Sequence, residues 1–212
     1  MEEFIKQLEG RLSEPLPGPD AQYQMAHGSR KGLYGHPDDA KQAGVLALLY
    51  PKSEDWHLVF IERVSNHKDR HSGQISFPGG RFEVSDQNLA NTALREAEEE
   101  IGITQKDVQI LGALSKLYIP VSNFLVHPYV GFIDYTPSFS PEASEVADIL
   151  ETPFKTFLNK ENIAQKAIHL PGNLTLKDVP HFNVENKVIW GATAMMMNEL
   201  VVLTQQMSIT KG

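Results

Sequence analysis

Glutamates crowd one short run of this chain: Glu96, Glu98, Glu99 and Glu100. On an α-helix, with about 100° between residues, Glu96 and Glu100 stack on one side. They lie beside an apolar face made of Ala90, Ala93, Leu94, Ala97 and Ile101, and Glu99 points further toward solvent on the same side. Like charges at this spacing repel, so a cation is needed to offset them. Mg²⁺ suits the task because it is a hard ion that prefers carboxylate oxygens and water. Held this way it can also take diphosphate oxygens, neutralise their charge and polarise phosphorus. Upstream, Gly79–Gly80 allows backbone to approach a ligand closely. Each feature alone has a plainer reading, a solvated helix face for the glutamates and a turn for the glycines. Together they point to metal-assisted chemistry on a phosphate.

The composition of the 212 residues is that of a globular chain, with 41% hydrophobic and 22% charged residues. Formal net charge is −8, which argues against a broad basic surface for nucleic acid. Binding of an anionic small molecule then requires a metal to reverse the local charge. Cysteine is absent, which excludes disulfides, thiolate zinc sites and a cysteine nucleophile. No pair of histidines has the spacing of a zinc helix. No segment approaches the 18 or so apolar residues of a membrane helix, and the charged start lacks a signal-peptide core. The expected location is the cytoplasm, with no membrane partner.

The elements that must position the glutamates follow from periodicity. Residues 1–13 read as an amphipathic helix, and 14–42, rich in Pro and Gly, as an arm that covers either the chain's own site or a second copy in a homodimer. Strands are expected at 44–50 and 57–63 around a polar turn, then a loop at 64–80. A helix is expected over about 87–101, with Ser85 or Asp86 as N-cap and Gly102 as stop. Strand patterns follow at 108–119 and 125–133, then a loop at 134–145 and a short helix at 153–158. Short strands are expected at 167–170, 181–185 and 187–190, with a final helix at 191–206. Trp190 and Met195–Met197 read as core. No boundary divides the chain, so 1–212 is expected to form a single domain with a mixed sheet covered on both faces.

The run from Gly80 to Ile103 resembles the Nudix box: glycine, five residues, an acidic residue, then Arg-Glu-x-x-Glu-Glu-x-Gly and an aliphatic residue. Gly80, Arg95, Glu96, Glu99, Glu100, Gly102 and Ile103 match it. Asp86 stands where the box usually has glutamate, and one extra residue separates it from Arg95; that addition falls before or at the helix start and leaves the glutamate register intact. The resemblance implies an α/β Nudix fold, an α/β/α sandwich with a mixed β-sheet, that works with Mg²⁺ or Mn²⁺. It implies Glu96 and Glu100 as main metal ligands, Glu99 as a further ligand or a base, the Gly79 carbonyl in the shell, and Arg95 as an orienter of a carboxylate.

The residues upstream, Arg63 and then 71–80 (HSGQISFPGG), are similar to the signature of coenzyme A pyrophosphatases, as are Thr92–Glu96 and the Glu145–Val146 region. That resemblance implies Arg63, His71 and Gly80 at the substrate, and Glu145 as a metal ligand or activator of water, with Glu142 as its rival. The implied reaction is hydrolysis of the diphosphate of coenzyme A or a derivative to a phosphopantetheine product and adenosine 3′,5′-bisphosphate. Alternatives are ADP-ribose or a dinucleoside polyphosphate as substrate, and a nucleotide-binding module without turnover.

Overall fold

In the computed structural model, which describes residues 2–30, 35–65, 73–170 and 174–207, the chain opens with α1 (Glu2–Leu12) and α2 (Pro19–Gln22). The strands β1 (Lys41–Lys52), β2 (Asp55–Arg63), β3 (Ile75–Ser76) and β4 (Gly79–Arg81) precede the helix α3 (Leu89–Ile101). After it come β5 (Gln109–Ala113), β6 (Leu117–Ile119), β7 (Phe124–Phe132), β8 (Val146–Pro153) and α4 (Lys155–Leu158). The chain ends with β9 (Ile163–Leu170), β10 (Leu174–Val184), β11 (Lys187–Trp190) and α5 (Gly191–Gln205).

Side-chain alternation fixes the layers. Leu46, Leu48 and Tyr50 of β1 face one way, with Val59 and Ile61 of β2, onto Ala93, Ala97 and Ile101 of α3. Ala43, Ala47 and Leu49 face the other way, with Leu58 and Phe60, onto α1 and α5. Period-two strands buried on both faces are the mark of a central sheet between helical layers. β1 and β7 run parallel while the other pairings are antiparallel, so the sheet is mixed, and the architecture is the expected α/β/α sandwich. A second, three-stranded sheet in the order β11-β10-β9 adds to the α5 side.

The sheet splits where the site lies. β1 and β2 pair through Leu49–Lys52 and Asp55–Leu58, then diverge. β3 fills the gap against β2 at Ile61 and Glu62, and β4 fills it against β1 at Ala43–Val45. Bonds from Leu46 N to Pro78 O and from Arg63 N to Gln74 O seal the wedge. The glycine pair is thereby fixed in the sheet directly over α3.

Some elements differ from expectation. The strand pattern at 108–119 breaks at Leu114–Lys116, because the Leu114 amide turns to Pro128 O and the Ser115 amide to Glu199. Residues 146–153, which follow the expected loop, are a strand along the outer edge of β2, and Pro153 closes that strand, so α4 starts at Lys155. β9 and β10 are longer than expected; exposed polar residues on both strands hide their alternation. Residues 14–30 of the expected arm fold back on their own chain, and Lys41 and Gln42 already belong to β1. Buried Glu199 of α5 accepts from Gly18 N at 3.0 Å, Gln22 Nε2 at 2.8 Å and Ser115 N at 3.2 Å.

All of these donors are neutral and the carboxylate is fully buried. In Glu199→Gln an NH₂ faces N–H groups on one side. The substitution is expected to cost about 2 kcal/mol or more, read as a lower urea midpoint at unchanged slope; an unshifted midpoint would show that the clamp contributes nothing.

Candidate active site

The start of α3 is set by competition for Asp86. Neither Ser85 nor Asp86 caps the helix. Asn88 does, accepting from Asn91 N at 2.9 Å. Asp86 lies in a single 3₁₀ turn and is engaged by Arg95 Nε at 2.7 Å, Thr92 Oγ1 at 2.8 Å and Glu83 N at 2.9 Å. The extra residue of the box is taken up in this turn, where Gln87 has a φ of 67°. Hydrogen bonding from Arg95 holds the Asp86 carboxyl down at about 2.

Arg95 reaches further. Its Nη2 donates to Glu96 Oε1 at 2.9 Å and to Arg81 O at 3.2 Å, and its Nη1 to Glu99 Oε2 at 2.9 Å. One guanidinium thus gathers Asp86, Glu96 and Glu99, and these bonds hold it firmly protonated. Glu99 is exposed, while Glu100 is 2% exposed. Glu100 accepts from Gly79 N at 2.8 Å and lies 3.6 Å from Arg63 Nη1. Burial pushes its carboxyl up to about 8, with Glu96 and Glu145 adding repulsion. Burial likewise raises Glu96, again with Glu99 and Glu145 contributing.

Glu145 and Glu142 are now distinguishable. Glu142 turns inward on its own loop, accepting from Ser144 N and Oγ at 3.2 and 3.0 Å. Glu145 is the one whose charge acts on Glu96 and Glu100. Gly80 makes room for Glu96: a Cβ there would sit 2.4–2.6 Å from its carboxylate. Gly79 contributes its N–H to Glu100 at a φ of 150°, a conformation that favours glycine. His71 lies outside the described residues.

Among the described residues no three carboxylates converge as a finished metal cage. Arg95 accounts for this by drawing Glu96 and Glu99 toward itself. The donors nonetheless fit a hard divalent cation. Glu96 and Glu100 are carboxylates raised by burial and by neighbouring carboxylates, the exposed Glu99 is held among the described residues by Arg95 alone, and no Cβ at Gly80 blocks the approach.

Beside the carboxylates a cavity of about 840 Å³ opens on the α5 side of the sheet. Arg63, Gly79 and Gly80 belong both to its wall and to the glutamate cluster, so the two meet at β4. Its other walls are largely apolar and include Leu170 and Leu176 of the β9–β10 hairpin, and Met195 and Met196 of α5. Trp190, expected in the core, is half-buried in the same wall. Gln74 and Ser76 also line it. The arm supplies His27 and Arg30, which no local motif distinguishes in the sequence.

A NUDIX domain model matches residues 40–164. Over 207 residues, 98% of this chain and 96% of theirs, the chain is 31% identical to proteins named uncharacterized Nudix hydrolase NudL from Yersinia pestis (strain Pestoides F) and Yersinia pseudotuberculosis serotype O:1b (strain IP 31758). Similarity to solved structures is more distant. A MutT/nudix family protein from Enterococcus faecalis covers 87% of this chain and 70% of its own at 12% identity, with a TM-score of 0.48. The NUDIX domain of Shewanella oneidensis NrtR, complexed with ADP ribose, covers 63% of this chain and 87% of its own at 16% identity, with a TM-score of 0.45.

Gly80→Ala presses only on the end of a flexible side chain, whereas a Cβ at Gly44 would sit 2.3 Å from Leu89 O. Gly80→Ala is therefore expected to fold but to weaken Mg²⁺ affinity by about tenfold or more, and Gly44→Ala to unfold; calorimetry and circular dichroism check the pair. A second expectation concerns pH. Because the folded-state pKa of Glu100 is raised, the native chain holds an extra proton between the ordinary carboxylate value and about 8. Metal-free protein therefore loses stability as pH rises across that window. Glu100→Gln removes this loss, gaining on wild type by on the order of 2 kcal/mol between about pH 5 and pH 9 in chelator. Parallel pH profiles for the two proteins would refute the assignment.

Proposed function

The chain belongs to the Nudix hydrolase family, and on that premise we propose that its substrate is coenzyme A or a derivative, cleaved at the diphosphate to a phosphopantetheine product and adenosine 3′,5′-bisphosphate. The observation that carries this reading is the cavity. It joins the carboxylate edge at Gly79, Gly80 and Arg63 to a long, mostly apolar chamber. Such a shape suits a diphosphate with an extended, flexible arm better than one with two compact polar halves. Much of the chamber wall, including α5 and the N-terminal arm, lies outside the matched 40–164 segment. The similarity of residues 63–80 to the coenzyme A signature points the same way.

The roles follow from chemistry. Glu96 and Glu100, with Glu99 and the Gly79 carbonyl, would hold Mg²⁺ or Mn²⁺. The bound ion supplies charge neutralisation at the diphosphate and acidifies water. Arg63 lies at the junction and can fork onto a phosphate oxygen. His71 and Gly80 complete the substrate contacts. Glu145 or Glu99 accepts the proton of the attacking water, whose oxygen bonds to phosphorus as the bridging P–O bond breaks. Arg95 keeps Asp86 ionised and the start of α3 in place.

Incubation with coenzyme A is expected to yield both products only with Mg²⁺ or Mn²⁺, and Glu100→Gln to cut turnover by about a hundredfold or more. Mass spectrometry reads both. Intact coenzyme A beside cleaved ADP-ribose would replace the substrate, and near-normal Glu100→Gln activity would remove the metal assignment.

A further inference from the structure

The cavity has a second polar end, away from the glutamates. Arg30, half-buried in the wall, donates through Nη2 to the Tyr118 carbonyl. That uses one of its five N–H groups. Among the described residues no carboxylate pairs with it, and none lines the cavity. A sheltered guanidinium without a counter-charge is costly unless something fills its remaining donors. Its neighbours in the wall are also donors. The Ser29 amide donates to His27 Nδ1 at 3.3 Å, so in the neutral ring the N–H sits on Nε2. Ser122 Oγ, in the β6–β7 turn that also lines the cavity, is buried without a hydrogen-bond partner.

The distance between the two ends follows from the sheet. β4 pairs with β1, β1 with β7 and β7 with β6, so Gly80 and Tyr118 are three strand spacings apart, roughly 14 Å. One diphosphate does not span that. We propose that the corner formed by Arg30, His27 and Ser122 is a second anion subsite, which receives a phosphate monoester or carboxylate carried by the substrate at a distance from the scissile diphosphate. The proposal deepens the coenzyme A reading and rests on it for the choice of substrate. Coenzyme A and its thioesters between them offer both sources: the 3′-phosphate of the nucleoside, and, in a dicarboxylic thioester, a carboxylate at the end of the acyl arm. Two of its three residues, Arg30 and His27, belong to the N-terminal arm, which precedes the matched 40–164 segment. It would set substrate preference and take no part in bond cleavage.

The test compares the full chain with Arg30→Met and Arg30→Lys on two substrate pairs, coenzyme A against its 3′-dephospho form and succinyl- against acetyl-coenzyme A, with Mg²⁺. Arg30→Met is expected to cut the preference for the anion-bearing member of one pair by about tenfold, the worth of one charge-assisted bond. The change should sit in KM, with partial recovery in Arg30→Lys. A change in the first pair identifies the phosphate, and one in the second the carboxylate. An equal loss on all four substrates would overturn the subsite and leave Arg30 as an anchor of the arm. If wild type cleaves none of the four, the coenzyme A reading fails by itself. Inorganic phosphate titrated against wild type and Arg30→Met then decides: binding that needs Arg30 supports the subsite, and identical titrations overturn it.

Discussion

Carboxylates that share one edge of a helix must be given a cation, and the site is organised around that electrostatic constraint. Arg95 supplies the internal one. It takes Asp86 by a fork, then Glu96 and Glu99 by single bonds, and leaves Glu100 to burial and to the Gly79 amide. The arrangement separates two jobs. Asp86, held low by Arg95, is a fixed structural anion, whereas Glu96 and Glu100, raised by burial, are groups for which ionisation is costly until a cation arrives. Ionisation and stability are therefore opposed at Glu100, the condition that the proposed metal-binding role calls for.

The split sheet is the second constraint. A pair such as β1 and β2 that stayed hydrogen-bonded throughout would leave no place for Gly79 and Gly80. Divergence creates a wedge with backbone on both sides: the Gly44 and Val45 backbone leaves no room for a Cβ at Gly79, and a Cβ at Gly80 would press on the Glu96 carboxylate. The same wedge joins the carboxylates on the α3 side to the cavity on the α5 side.

Much of this was legible in the residues. The register of α3, the hairpin of β1 and β2, the buried run Met195–Met197 and the association of Arg95 with a carboxylate all follow from periodicity or motif. The errors have local causes. Asp86 has the chemistry of an N-cap, but an arginine two turns along the helix competes for it and wins. Residues 146–153 have weak alternation because the strand is at an edge with Ala147 and Asp148 exposed, and a strand there depends on the neighbouring β2. Trp190 is apolar enough for the core, and only the position of α5 turns it to the cavity wall.

By itself, the sequence determined the family, because its motif of glycines and glutamates is local, and helical spacing alone brings Glu96 and Glu100 to one side of α3. It also determined the layer pattern, since alternation along a strand is read directly from hydrophobicity. Tertiary structure alone decided which later glutamate faces the cluster, what the N-terminal arm does and where Arg30 ends up. Those facts depend on contacts between residues far apart in the chain, such as Gly18 with Glu199 and Arg30 with Tyr118. No local spacing encodes such contacts; they exist only once the sheet has been closed over by its helices.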